Sequence, residues 1–403
     1  MRITDYTFRG SVKFSTMKIT IRLLLVLFLF VTCSNDDEDF FVSIPDKNFE
    51  QSLIELGIDT DGIINGQVLT SDVSGITKLD LWWKNISDLT GIEDFVSLTE
   101  LNLEGNELTS LDFSNNTSLT KLSCNFNQLS SLDISDNTSL TTLSCNFNQL
   151  TSLDISNNKS LGHLECEYNS LTSLDVSDNI SLTDLECSNN QLTSLDVSSN
   201  SSLTWLDCYE NQLTSLDISK NTSLEYLYCW VNQLTSLDVS NNTSLTNLSC
   251  WGNQLTSLDI SNNTSLIMLE CWDNPLTSLD VSENTSLVLL QCSNNLLTSL
   301  DVSNNTSLEG LSCNRNQLTS LDISNNTSLI WLHCNENQLT SLDVSNNTSL
   351  SSLDFSDNLI VEGDISNNIF LTTLDCSSNQ LTSLDVSNNT SLTTLNCKNN
   401  QVK

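Results

Sequence analysis

Basic residues are scarce in this chain. Its 403 residues include 14 Lys and Arg against 50 Asp and Glu, a formal charge of −36. Such a surface repels phosphate backbones, which argues against nucleic acid as a partner. Histidine occurs twice, at His163 and His333. The two fall eight repeat units apart, roughly 38 Å at the usual strand spacing, too far to share one catalytic site. No Ser or Cys stands beside a base and no glycine-rich phosphate loop occurs, so nothing points to an enzyme. Long apolar runs are missing too. The nine residues Leu23–Val31 are too short to span a bilayer as a stable helix.

What the chain has instead is repetition. Residues 108–401 contain fourteen copies of a 21-residue unit. A clean copy opens Leu234-Thr-Ser-Leu237-Asp238-Val239 and closes Leu248-Ser249-Cys250-Trp251-Gly252-Asn253-Gln254. A unit this short cannot bury its own apolar side chains, so neighbours must stack. Each copy has two halves, Leu-x-x-Leu-x-Val-x-x-Asn and Leu-x-x-Leu-x-Cys-x-x-Asn. The period-two alternation in each half predicts a strand in each, hence parallel sheets on two sides. The closing asparagines, Asn116 to Asn389 in one column and Asn127 to Asn400 in the other, predict two inward ladders that satisfy corner backbone.

The segment before the array reads differently. Met17-Lys18 to Arg22, followed by Leu23–Val31 and Cys33, has the form of a signal peptide that starts at Met17. Residues 34–43 form an acidic tether. Residues 44–75 predict a cap, with a short amphipathic helix that starts near Asp46 and stops at Gly57. Asp59-Thr60-Asp61-Gly62 invites a calcium-loop reading, but Ile63, Ile64 and Val68 are wrong for one, and a turn fits better. Residues 76–107 make two further units, the second of 22 residues. The chain closes at Val402-Lys403, the opening of another repeat without a capping segment; a chain that continues, or a last rung that docks on something, is expected.

Leu-x-x-Leu-x-Cys-x-x-Asn-x-Leu resembles the leucine-rich-repeat consensus, with Cys in its third apolar place, and the match covers residues 76–401. The resemblance implies a leucine-rich-repeat solenoid: a β-dominated right-handed coil of parallel strands with a short N-terminal helical cap, like that of internalin-like surface proteins. Some sixteen rungs at about 4.8 Å each make a rod roughly 75 Å long. Cys33 resembles the lipid-attachment cysteine of bacterial lipoproteins, and Ser34–Asp39 the tether that sends some to the outer face of a Gram-negative outer membrane. An ordinary secretory signal, giving a secreted or periplasmic protein, is the alternative.

Thirteen cysteines from Cys124 to Cys397 share one inward place, with Phe355 in the single gap. In-register neighbours stand a strand spacing apart, too far for a disulfide, so a column of buried thiols is expected. Asp112 to Asp385 fill one outward column in every copy. Carboxylates about 5 Å apart repel by about 1 kcal/mol per pair even in water. Hydrogen bonds from flanking serines offset this, or weakly bound calcium does, at Asp217, Asp238, Asp259 and Asp280 for instance. No other cofactor is implied.

Variation among copies is lopsided, falling on the outward places of the Cys half. The place after each Cys reads Tyr209, Trp230, Trp251, Trp272 on four consecutive rungs, with Trp205, Tyr226, Met268 and Tyr228 beside them. Asp207, Glu210, Glu270 and Asp273 border the group. Exposed aromatics dominate binding hot spots and suit apolar peptide side chains or sugar rings. They also stabilise in-register sheets, the competing explanation. Phe126, Phe147, His163 and Tyr168 form a weaker flank, and Trp331 with His333 an isolated pair. The expected function is non-catalytic binding or adhesion at a cell surface, to a protein or glycan, by a monomer unless the C-terminal end pairs. An acidic rod or spacer stabilised by calcium is the rival.

Overall fold

The computed structural model describes residues 40–402. The signal-like run, Cys33 and Ser34–Asp39 lie outside the described residues. Sixteen three-residue strands, from Lys78–Asp80 to Thr394–Asn396, form one parallel sheet in strict sequence order. Pairing is in register: Leu227 faces Leu248, and Leu248 faces Leu269. The step from the first strand to the second is 22 residues, Lys78 to Glu100, and the next is 21, Glu100 to Lys121. Leu248 and Cys250 alternate inward and are fully buried together with Leu234 and Leu245. Burial of each such leucine contributes about 1.5–3 kcal/mol. Rungs touch only their neighbours, so this gain accumulates along the stack.

The Leu-Asp-Val half does not form the second sheet that its alternation predicts; the described strands of the array belong to the Cys half. The cause is local. Asp238 Oδ1 accepts from Ser240 N at 2.9 Å, folding the backbone back on itself, and Val239 O accepts from Asn242 N at 3.0 Å. Val239 O also takes the Asn263 Nδ2 of the next rung at 3.0 Å. Backbone groups already engaged in this way cannot build an inter-rung ladder.

Both asparagine ladders are present. Asn242 is fully buried and donates through Nδ2 to Ile218 O (3.0 Å) and Asn221 O (2.8 Å). Asn253 donates to Cys229 O (3.1 Å) and Cys250 O (3.0 Å), and its Oδ1 accepts from Leu234 N (3.0 Å). Each side chain thus ties two successive rungs at a corner. The thiols from Cys124 to Cys376 are free and buried, and Cys397 is free and exposed.

At the N-terminus a helix, α1, spans Lys47–Glu55. Asp46 caps it by accepting from Asn48 N and Phe49 N, and Gly57 follows its end at φ 70°. Phe49 and Leu53 are buried, and Phe49 stacks on Phe95 with ring centroids 6.1 Å apart, so the helix covers the first rungs as its pattern predicts. Phe41–Ser43, placed in the tether by composition, instead pairs antiparallel with Gln67–Leu69. Val42 and Val68 in this ribbon are buried, and that apolar gain holds the segment down. Residues 59–62 form a turn, with Ile63 N donating to Asp61 Oδ1 at 2.7 Å.

Candidate binding face

Residues alternate across each strand, so Tyr226 and Tyr228 share the outer face of the sheet with Trp230. In-register pairing then converts sequence columns into contacts. Tyr209, Trp230, Trp251 and Trp272 stack ring on ring, with centroids 3.8, 4.6 and 3.9 Å apart and planes within 11°. Trp205 lies against Tyr226 at 4.6 Å and Tyr228 at 5.4 Å, in tilted arrangements. All seven of these rings are half-buried. Two further stacking facts follow from one backbone feature. The second residue after each Cys adopts a left-handed conformation, φ 53° at Phe126, 54° at Phe147 and 50° at Tyr168. That turn aligns Phe126, Phe147 and Tyr168 at centroid distances of 4.3 and 4.2 Å, on rungs that precede the Trp column.

The acidic neighbours are not uniform. Glu270 accepts from Ser249 Oγ at 2.9 Å, while Asp207 is only 8% exposed and its Oδ1 has no hydrogen-bond partner. Burial, with Glu167 and Glu186 nearby, pushes the Asp207 carboxyl up to about 8. Burial pushes Glu186 up to about 7, helped by Glu165 and Glu167. Trp205 Nε1 is likewise buried without a partner. His163 Nε2 meets Glu165 Oε1 at 2.6 Å, and its Nδ1 lies 3.9 Å from Asp184 Oδ2. The Glu165 hydrogen bond raises the imidazole pKa. Sequence reasoning placed His163 in an aromatic flank; the contacts place it among carboxylates. Only the register, which sets Glu165 beside Glu186 and His163 beside Asp184, exposes that grouping.

The Asp column is occupied by its own backbone. Asp217, Asp238, Asp259 and Asp280 each accept from the Ser N two residues on, at 2.9, 2.9, 3.0 and 2.9 Å. Hydrogen bonds from these serines hold the four carboxyls below the usual carboxylate range. Among the described residues these aspartates do not fall into any set of three ligating side chains whose atoms lie within 4.8 Å. A depression of about 700 Å³ lies over the first strands, lined by Leu56, Lys78, Glu100, Lys121 and Ser144 among others; it includes none of the aromatic residues. Trp331 and His333 stand apart, tilted at 5.2 Å, and Trp331 lies across Gly310, where a β-carbon would meet the indole at 2.3 Å.

A one-sheet solenoid with buried asparagine corners, a buried thiol column and a variable outer sheet face defines a leucine-rich-repeat scaffold. The functional domain of InlJ from Listeria monocytogenes, described as including a cysteine ladder, is 37% identical over 86% of this chain and 77% of its own, with a TM-score of 0.82. A leucine-rich-repeat protein of Leptospira interrogans is 28% identical over 83% of this chain and 93% of its own, with a TM-score of 0.75. The internalin InlF of Listeria monocytogenes shares the fold at 23% identity and a TM-score of 0.61, over 87% of this chain and 95% of its own. The chain belongs to the internalin-like leucine-rich-repeat proteins. No family model and no curated protein sequence matches it. Among the described residues no helix is long and apolar enough to cross a membrane.

Proposed function

We propose that this protein is a non-catalytic adhesion or binding protein displayed at a cell surface, and that the outer sheet face between Trp205 and Trp272 captures a protein partner. The observation that carries the reading is the four-ring stack. Tyr209, Trp230, Trp251 and Trp272 spend their faces on one another at 3.8–4.6 Å. What they offer outward is a ridge of ring edges, which suits apolar side chains better than the flat stacking a sugar ring wants. Glu210, which is exposed, and the half-buried Glu270 at its border suit a partner whose rim is basic. The family's role as an interaction scaffold agrees with this. Cys33 would tether the chain to an outer membrane through lipid, with the solenoid facing outward. The calcium-rod alternative gains no support from an Asp column whose carboxylates are already engaged by serine.

The test pairs the full chain with its Trp230→Ala/Trp251→Ala variant against displayed surface proteins and a glycan array. Capture of a protein lost at least tenfold in the variant, with an unchanged far-ultraviolet spectrum, supports the reading. Glycan capture that depends on the same two residues would redirect it, and undiminished capture would remove the site.

A further inference from the structure

A second feature of the same face has nothing to do with aromatics. His163 and Glu165 lie two residues apart on strand His163–Glu165, hence on one side of the sheet, and Glu186 lies in register with Glu165 on the next strand. One ligating atom from each of the three lies within 4.8 Å of the others, and among the described residues they are the only such set of three or more His, Cys, Asp or Glu side chains. We infer that His163, Glu165 and Glu186 bind one divalent transition-metal ion of the zinc type.

Several observations bear on the inference. Rotation about the glutamate side-chain bonds would bring the three atoms to the separations of about 3.3 Å that metal bonds near 2.1 Å require, while Glu165 Oε2 accepts from Asn146 Nδ2 at 3.1 Å. His163 Nε2 already meets Glu165 Oε1 at 2.6 Å, which makes it the ligating nitrogen, and Asp184 Oδ2 stands 3.9 Å from Nδ1, near enough for charge attraction but too far for a hydrogen bond. An independent observation lies one strand further on. Asp207 is in register with Glu186 and therefore faces the same side. It is 8% exposed, and its Oδ1 accepts no hydrogen bond. An unpaired buried carboxyl oxygen is costly, and a cation nearby would stabilise the ionised form while its bound water supplied the donor. Glu167 adds a further acidic group, bonded to Ser188 Oγ. Imidazole nitrogen among carboxylates selects zinc-like ions over calcium, which prefers oxygen alone. On binding, the metal takes the place of the hydrogen between His163 Nε2 and Glu165 Oε1, and any proton held there leaves to solvent.

The experiment is calorimetric titration of the full chain with zinc chloride at pH 7.5, using wild type, His163→Gln, Glu186→Gln and, as control, His333→Gln. One equivalent is expected in wild type and in the control, weakened at least tenfold in the other two, with calcium chloride failing to compete. In parallel, histidine ring resonances should shift at His163 and stay put at His333, a readout that needs no variant. Zinc binding that survives His163→Gln, equal binding of calcium, or a titration without a saturable equivalent would each overturn the assignment. The probe is the metal alone, so the result stands apart from whether the aromatic ridge binds a protein.

Discussion

Phe355 and Gly363 share one space. A β-carbon on Gly363 would stand 3.8 Å from Phe355 Cζ. Phe355 occupies the one gap in the thiol column, and Gly363 replaces the leucine found at this place in the neighbouring copies. The ring fills what the missing leucine leaves, and the void that remains among Leu342, Val344, Leu353 and Ile365 is about 10 Å³.

Restoring either consensus residue alone should therefore destabilise. Phe355→Cys opens a cavity and should cost about 2–4 kcal/mol. Gly363→Leu overpacks the same space and should cost about 1–3 kcal/mol. The double substitution should cost less than the two added together by at least about 1 kcal/mol. Urea melts of the four proteins close the cycle, and strict additivity would mean that the residues do not share the space.

Asn253 closes hydrogen bonds to Cys229 O, Cys250 O and Leu234 N. Asn253→Ala leaves the buried Leu234 N without a partner, a loss of about 1–3 kcal/mol, while Cys229 O and Cys250 O keep the amides of Asn232 and Asn274 at 3.1 Å. The effect should be local because rungs couple only to neighbours. Amide hydrogen exchange should accelerate between residues 229 and 255 and leave the array's distant rungs unchanged.

The thiol column should be chemically silent. Burial pushes Cys250 up to about 12, far from the thiolate range. In a Cys33→Ser background, Ellman's reagent should titrate one thiol in the native protein, Cys397, which is exposed. All thirteen array thiols should react in guanidinium. Rapid native labelling of several would show that rungs open readily.

Acid and base should act on different columns. Asp238 and its column, with carboxyls held low by serine hydrogen bonds, contribute stability above the unfolded carboxylate range that is lost as pH falls. Asp207 and Glu186, at about 8 and about 7, retain protons in the fold that the unfolded chain has released above pH ~4. Their effect is opposite: stability declines as pH rises from ~4 to ~8. Asp207→Asn should thus raise the melting temperature at pH 8 and change it little at pH 4. A melting temperature that falls at pH 8 would show instead that the carboxylate is satisfied there.

The sequence alone determined the solenoid, its period, both asparagine ladders, the thiol column and the capping helix, because each is a one-dimensional pattern that repeats or a local signal such as Asp46 and Gly57. It also marked Tyr209, Trp230, Trp251 and Trp272 as a column, since one period carries a residue to its neighbour's side. What it mistook was the Leu237-Asp238-Val239 half, whose alternation looks like a strand until Asp238 accepts from Ser240 N. Only the tertiary structure decided which columns lie side by side. His163, Glu165, Glu186 and Asp207 become one acidic group because register sets Glu165 beside Glu186 and Glu186 beside Asp207, across 21 residues of chain at each step. Phe355 and Gly363 look like two separate lapses in the repeat until packing makes them one. Periodicity is written along the chain, whereas burial, stacking and charge coupling depend on distances between rungs, which exist only after the chain has coiled.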